Sequence, residues 1–349
     1  MTRWCEAGNT HVWLRNNNTI QVCCSLTNKA DNTFKLANTV DFLEIMNSAE
    51  WKNKYSVLET GPLHNDCQSC TLSERDAGHS QRLKLNDMTY DGKHFFLKID
   101  FSNKCNLKCI MCGSSRSTGW IKDEQKMYGL GFGDEPVSYT KLDDRWWLDI
   151  PENWWANLRA VEISGGEPLY QEDAVEFLEF LSDVNPKLHL RIITNLTIFN
   201  EKIKLILSKF PQARLLCSVD AWEDHIYEYS RGGIYSLDAI KENIKDLYSI
   251  VNDLSIVDTI HCVTYDQAEK GKKWISDNNL DIKHTTNYVY TPRHLDARSV
   301  LPEEIFPKGS KDQKLQQYFI KWITALDSVR GTDVLEIRPE FKNWFKEST

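Results

Sequence analysis

No run in this chain approaches the roughly 18 consecutive apolar residues that a membrane-spanning helix needs, and no apolar signal region follows Met1. Both lacks imply a soluble, cytoplasmic protein with no membrane partner. A basic excess is missing as well: 42 Lys and Arg stand against 50 Asp and Glu, a net charge of −8. Without surplus cations to displace counterions, the chain is poorly suited to coating long nucleic acid. The nine histidines (11, 64, 79, 94, 189, 225, 261, 284 and 294) form neither His-x-His nor His-Glu-x-x-His. That argues against a zinc-dependent hydrolase or transferase. Internal repeats and low-complexity tracts are also absent. Size is no obstacle to a core, because the 349 residues are 41 % hydrophobic.

Cysteine, by contrast, is abundant. The ten lie at 5, 23, 24, 67, 70, 105, 109, 112, 217 and 262, eight of them in the first third. A disulfide scaffold suits a short secreted chain, whereas clustered thiols in a reducing compartment bind metal. Cys217 and Cys262 each sit alone in an apolar, strand-like run and read as core residues.

Residues 1–85 read as a small cysteine-rich domain that needs metal to fold, because its apolar residues are few and scattered. A helix is expected around Thr39–Asn53, and a polar stretch, Ser73–Leu85, leads out. From residue 90 to 300 strand and helix signals alternate. The strands are expected at Phe95–Phe101, Ala160–Ser164, Leu188–Thr194, Leu215–Asp220, Ile256–Val263 and Ile282–Tyr290. Helices are expected at Glu172–Leu181, Glu201–Lys209, Ser236–Ile250 and Gln267–Asn278. This α/β alternation predicts a parallel sheet with helices outside. Six strands rather than eight suggest a partial (β/α)6 TIM-like barrel, with a doubly wound sheet as the alternative. An insertion, residues 113–158, carries Trp146, Trp147, Trp154 and Trp155, which read as core or as cover for a barrel end. Residues 301–349 form a helical extension. Its helix is expected at Lys311–Asp327, and Asp327–Gly331 reads as a solvated linker.

Just after the first barrel strand comes Cys105-x3-Cys109-x2-Cys112. Three thiolates this close suit a cubane iron–sulfur cluster. A structural zinc site normally wants a fourth Cys or His nearby, and after Cys112 the next cysteine or histidine is His189. One metal position is therefore open to a small chelating ligand, at the strand end where α/β barrels build active sites. The second strand runs into Gly165-Gly166-Glu167-Pro168, a turn whose paired glycines expose backbone and allow close ligand approach.

Together the two motifs resemble the signature of the radical S-adenosylmethionine (SAM) superfamily. Met111 stands where most members carry an aromatic residue. The resemblance implies a [4Fe-4S] cluster on Cys105, Cys109 and Cys112, with SAM on its open iron. It further implies that Gly165, Gly166, Glu167 and Pro168 contact the methionine amino group. Asn195 and Ser218, at the ends of the third and fourth strands, would line the ribose and carboxylate, with Asp220 a weaker candidate. Arg231, in a segment between strand four and a helix, would pair with a carboxylate or form a surface salt bridge.

Read from residues alone, Cys5, Cys23, Cys24, Cys67 and Cys70 suit zinc or [4Fe-4S] equally well. Their pattern is similar to the SPASM/Twitch auxiliary-cluster module: a first cysteine, a hairpin ending in cysteine, and a later Cys-x2-Cys. That resemblance implies a second [4Fe-4S] cluster on Cys5, Cys23, Cys67 and Cys70, with Cys24 as alternate. Asn16-Asn17-Asn18 replaces the usual glycine of the hairpin turn, and asparagine tolerates the same left-handed backbone. The implied activity is reductive SAM cleavage followed by hydrogen abstraction from a small metabolite, nucleotide or peptide residue. An external reductant such as flavodoxin or ferredoxin would supply the electron. The competing reading, a non-enzymatic interaction protein built on cysteine modules, leaves the three-cysteine loop and Gly-Gly-Glu-Pro unexplained.

Overall fold

The computed structural model describes residues 4–23, 26, 32–63, 67–78, 80–88, 95–289, 291–307, 309 and 312–348. The chain falls into two compact units. One comprises residues 1–102, 140–192 and 209–213; the other comprises 103–139, 193–208 and 214–349.

In the first unit, β1 (His11–Arg15) and β2 (Thr19–Gln21) form an antiparallel hairpin, with β3 (Phe34–Lys35) beside β2. Asn18 closes the hairpin turn at φ 52°, the left-handed backbone expected of it. The other edge of β1 runs parallel to β4 (Phe96–Asp100), pairing His11 with Phe96 and Trp13 with Lys98. β5 (Ala160–Ser164) and β6 (His189–Thr194) continue the parallel run, giving the order β3-β2-β1-β4-β5-β6. Val12, Leu14, Leu97, Ile99, Val161 and Ile163 are fully buried.

The expected Thr39–Asn53 helix is broken in two. Ser48 adopts an extended backbone (ψ 154°) and caps the second piece, Ala49–Tyr55, by accepting from Trp51 N. The stretch read as a polar exit is instead two helices, Gln68–Ala77 and Gln81–Met88; Gly78 ends the first at φ 68°. Their few apolar residues hid the helical period; an Arg82–Glu74 ion pair ties the two together.

Trp146, Trp147, Trp154 and Trp155 of the insertion are structural. Trp146, Trp147 and Trp155 are buried and ring Phe177 at centroid distances of 5.2–6.1 Å, and Trp154 packs edge-on to Trp155 at 4.8 Å.

In the second unit, β7 (Ala213–Ser218), β8 (Asp253–Ile260) and β9 (Lys283–Tyr288) are parallel neighbours in that order. The helices Glu201–Ser208, Leu237–Tyr248 and Gln267–Asp277 lie close to the expected ranges. The extension's helix is Gln313–Arg330, three residues longer at its C-terminal end than expected. This overturns the solvated-linker reading of Asp327–Gly331. Asp327 accepts from Tyr229 Oη at 2.9 Å and from Val334 N at 2.8 Å, and Arg330 is buried against Asp123.

The fold class is thus mixed α/β on a parallel sheet, with the six strands β4 to β9 where the sequence places them. Among the described residues, no helix is long and apolar enough to cross a membrane. Replacing Trp155, which is 0 % exposed at the centre of the aromatic cluster, with alanine should cost about 3–5 kcal/mol of stability. Chemical denaturation would measure this; a loss below about 1 kcal/mol would place the ring outside the core.

Candidate functional site

The three-cysteine loop has little regular structure of its own, so its shape comes from what grips it. Asn103 donates through Nδ2 to the carbonyls of Ser114 (2.8 Å) and Ser138 (3.0 Å), and its own carbonyl accepts from Thr118 N. Trp120 Nε1 donates to the Cys109 carbonyl at 2.7 Å. Lys108 N and Ile110 N donate to the carbonyls of Arg231 and Ser230, at 3.1 and 2.8 Å. Arg330 Nη2 donates to the Lys108 carbonyl at 2.8 Å, with its guanidinium 4.4 Å from the Trp120 ring centre.

The loop passes so close to Gly232 and Gly233 that side chains there have no room. A Cβ on Gly232 would lie 2.7 Å from the Lys108 carbonyl oxygen, and one on Gly233 would lie 2.3 Å from Leu107 Cδ2. Gly232 also sits at φ 61°, where a Cβ is strained.

The neighbouring Cys112 thiol holds the Cys109 thiol below its ordinary value against the opposing effect of burial, helped by the charges of Arg231 and Arg330. The neighbouring Cys109 and Cys105 push the Cys112 thiol well above its ordinary value. Cys105 Sγ accepts from Leu107 N at 3.5 Å and faces Asn195 Nδ2 at 3.9 Å. Asn195 Nδ2 also donates to Asn106 Oδ1 at 3.1 Å, and Asn106 Nδ2 donates to Thr197 Oγ1 at 2.7 Å. The end of β6 is thereby latched to the cysteine loop. Asn106 and Thr197 escaped the sequence reading, although Asn106 lies inside the cysteine motif itself.

Arg231 ends a helix, Asp224–Arg231, that the sequence reading missed. It is buried, not a surface ion pair. Its Nη1 pairs with Asp220, and Nη2 donates to the Ser218 carbonyl at 2.9 Å. Asp220 sits at φ 69°, and its carboxylate also accepts from Thr259 N at 2.7 Å. Burial raises the Asp220 carboxyl despite the Arg231 charge. Asp258, also missed, accepts from Asp220 N, from Trp222 Nε1 (2.8 Å) and from His284 Nε2 (2.8 Å).

In the first unit, Gly165 and Gly166 follow β5 with φ of 81° and 58°. Two successive left-handed residues make glycine close to obligatory. A Cβ on Gly165 would also stand 2.6 Å from Asp100 Cβ. Ser164 Oγ donates to Asp100 Oδ1 at 2.6 Å, and Gln171 Nε2 donates to the Gly165 carbonyl at 2.8 Å, so the turn is held from both sides. Glu167 is buried, and its Oε1 caps the short turn Pro168–Tyr170 by accepting from Leu169 N at 3.1 Å.

Cys5, Cys23, Cys67 and Cys70 are all buried and line one cavity, with Trp4, Ala7, Val22, Leu26, Leu58 and Arg82. Cys67 precedes the Gln68–Ala77 helix and Cys70 lies in its first turn, which brings this pair onto one side. Burial pushes the Cys5 thiol up to about 11, with Cys67 and Cys70 adding to the rise. Among the described residues Arg82 is the one basic side chain of the lining, and its guanidinium lies 4.7 Å from the Trp4 ring centre. Cys24 lies outside the described residues. No three His, Cys, Asp or Glu side chains among the described residues are gathered tightly enough for a single metal ion. A cubane, with one thiolate on each of several irons, accepts a more widely spaced set.

Several known proteins are similar to this chain. A model of the Radical SAM superfamily matches residues 99–275, just over half of the chain. A protein named GTP 3',8-cyclase from Sulfurimonas denitrificans is 29 % identical over 107 residues, which cover 31 % of this chain and 29 % of that protein. Its counterpart from Lactiplantibacillus plantarum is 29 % identical over 154 residues, covering 43 % and 41 %. The chain thus spans less than half the length of these curated relatives. Among solved structures, native anSMEcpe with bound AdoMet is 18 % identical with a TM-score of 0.42, covering 68 % of this chain and 62 % of that one. Streptococcus suis SuiB bound to precursor peptide SuiA is 14 % identical with a TM-score of 0.41, covering 95 % and 71 %. With its cysteine motif and glycine turn both inside the matched span, the chain belongs to the radical SAM superfamily.

Proposed function

We propose that this protein is a radical SAM enzyme that abstracts a hydrogen atom from a small metabolite, a nucleotide or a peptide residue. The observation that carries the reading is the Cys105–Cys112 loop, which holds three thiols on eight residues and whose backbone is clamped by buried groups. Cys105, Cys109 and Cys112 would hold a [4Fe-4S] cluster. A cluster held there would supply one-electron reducing chemistry to a bound SAM, and these residues would hold it and its ligand in place.

The chain's own residues position and shield. Gly165 and Gly166 form a left-handed turn without side chains, which supports close approach of the methionine amino group there together with Glu167 and Pro168. Asn195 and Ser218 are the candidates for the ribose and carboxylate. Arg231 is engaged by Asp220 and acts on the site by position: its carbonyl receives Lys108 N, and its charge favours thiolate at Cys109. The four cysteines lining one cavity support an auxiliary [4Fe-4S] cluster in residues 1–85, with Cys24 as alternate ligand, in the manner of a SPASM/Twitch module. An external reductant such as flavodoxin or ferredoxin would deliver the electron, in the cytoplasm. Residues 90–300 would form the catalytic barrel and 301–349 its extension.

Anaerobic reconstitution followed by iron and sulfide counting tests this directly, with about eight irons per chain expected for two cubanes. Replacing Cys105, Cys109 and Cys112 together with alanine should abolish 5'-deoxyadenosine formation and leave about four irons. Protein that takes up only zinc, or a triple variant that still cleaves SAM, would refute the assignment. Replacing Cys67 and Cys70 together with serine should likewise leave about four irons, but with SAM cleavage retained; an unchanged iron count would remove the auxiliary cluster. Gly165→Ala should weaken SAM binding at least tenfold at unchanged iron content, read by equilibrium dialysis. Its added strain is about 1–2 kcal/mol from the left-handed backbone alone, before the clash with Asp100.

A further inference from the structure

The second unit contains a cavity of about 290 Å³, at the lower end of the sizes that take a small ligand. Cys112 of the three-cysteine loop lines it. The rest of the wall comes from the stretch 110–137, from Pro292 and His294 beyond β9, and from Trp322 of the Gln313–Arg330 helix. All of these lie within the one unit.

Charge in this wall has one sign. Glu124, Asp134 and Glu135 line the cavity, and among the described residues no lysine or arginine does. Asp134 and Glu135 are exposed and make no ion pair or side-chain hydrogen bond among the described residues. Half-buried Glu124 accepts from Ser114 N at 3.0 Å and has no cationic partner there. His294 adds no charge, because burial pushes its imidazole down to about 4 and leaves it neutral near physiological pH. Its Nε2 is enclosed without a hydrogen-bond partner. Carboxylates that share a space repel one another, and a cation between them relieves this. These groups are not gathered tightly enough to hold a single metal ion, so the cation that fits is a larger, organic one. Phe132 and Trp322 offer aromatic faces to such a charge, and Met127 and Val137 an apolar wall to the stem that carries it. Trp120, in the same wall, already seats the Arg330 guanidinium 4.4 Å from its ring centre.

We propose that this cavity binds an ammonium or guanidinium group on an apolar stem, as in a lysine or arginine side chain or a free alkylamine. A phosphate-bearing ligand would meet three carboxylates and no cation. Cys112 in the same wall places the bound stem beside the cysteine loop. That this ligand is the one from which hydrogen is abstracted rests on the radical SAM reading; the binding itself does not.

The test uses the reconstituted full-length protein and equilibrium dialysis. Acetyl-lysine amide and acetyl-arginine amide, both blocked at the α-nitrogen, should bind saturably, and more weakly as sodium chloride is raised. Acetyl-glutamine amide, uncharged, and inorganic phosphate should not bind. Tighter binding of the blocked residues than of n-butylamine identifies a peptide residue as the ligand; the reverse identifies a free amine. Asp134→Asn combined with Glu135→Gln should weaken binding roughly tenfold, at unchanged iron content and unfolding midpoint, because both carboxylates are exposed and unpaired. Glu124→Gln keeps an acceptor for Ser114 N and should add to the loss. Equal binding of the lysine and glutamine probes, binding of phosphate in their place, or unchanged affinity in the double variant overturns the proposal. 5'-Deoxyadenosine formation is measured on the same samples. Cation binding without SAM cleavage refutes the enzyme reading alone, and SAM cleavage without cation binding refutes the pocket alone.

Discussion

Three thiols on a short irregular loop must stay within reach of one another with no helix or strand to hold them. The protein solves this through the loop's backbone rather than its side chains. The amides of Lys108 and Ile110 are met by carbonyls at the end of the Asp224–Arg231 helix, and the carbonyls of Lys108 and Cys109 are met by Arg330 and Trp120. The cysteine side chains are left available for metal. Gly232 and Gly233 follow from the same closeness, since a Cβ at either position would enter the loop's van der Waals space. So does the buried Arg231–Asp220 pair. Breaking a buried pair by removing one partner leaves an uncompensated charge, here beside Cys109.

The first unit uses a different device for a related purpose. Its glycine turn after β5 depends on two left-handed residues, and Asp100, Ser164 and Gln171 hold it in place. Its four cysteines come from three separate stretches: the start of the chain, the end of the β1–β2 hairpin, and the first turn of the Gln68–Ala77 helix. Burial among apolar neighbours around this cavity raises the Cys5 thiol.

Much of this architecture could be read without coordinates. The alternation of strand and helix signals located the six parallel strands within a few residues; β4 and β5 are continuous buried runs, while β6 and β7 alternate buried and half-buried positions. Trp146, Trp147, Trp154 and Trp155 were read as core or as cover for a barrel end because of their large apolar rings, and three of the four are buried. The errors were local and physical. Ser48 broke the helix expected over Thr39–Asn53 by preferring a cap to a continuous turn. Helices in 68–88 went unseen because their polarity masked the repeat, and Asp224–Arg231 because Ile226 is the one aliphatic residue of a buried face otherwise made of Tyr227, Tyr229, Ser230 and Arg231.

The sequence by itself determined the chemistry: cysteine spacing, the Gly-Gly-Glu-Pro turn and strand order are local features, readable because neighbours along the chain stay neighbours in space. Only the tertiary structure decided which distant groups meet. Arg330 lies 222 residues from the loop carbonyl it binds. Gln21, Lys98 and Arg191 become one row only through strand register. Register and long-range pairing depend on the packing of whole faces, and no local pattern encodes that.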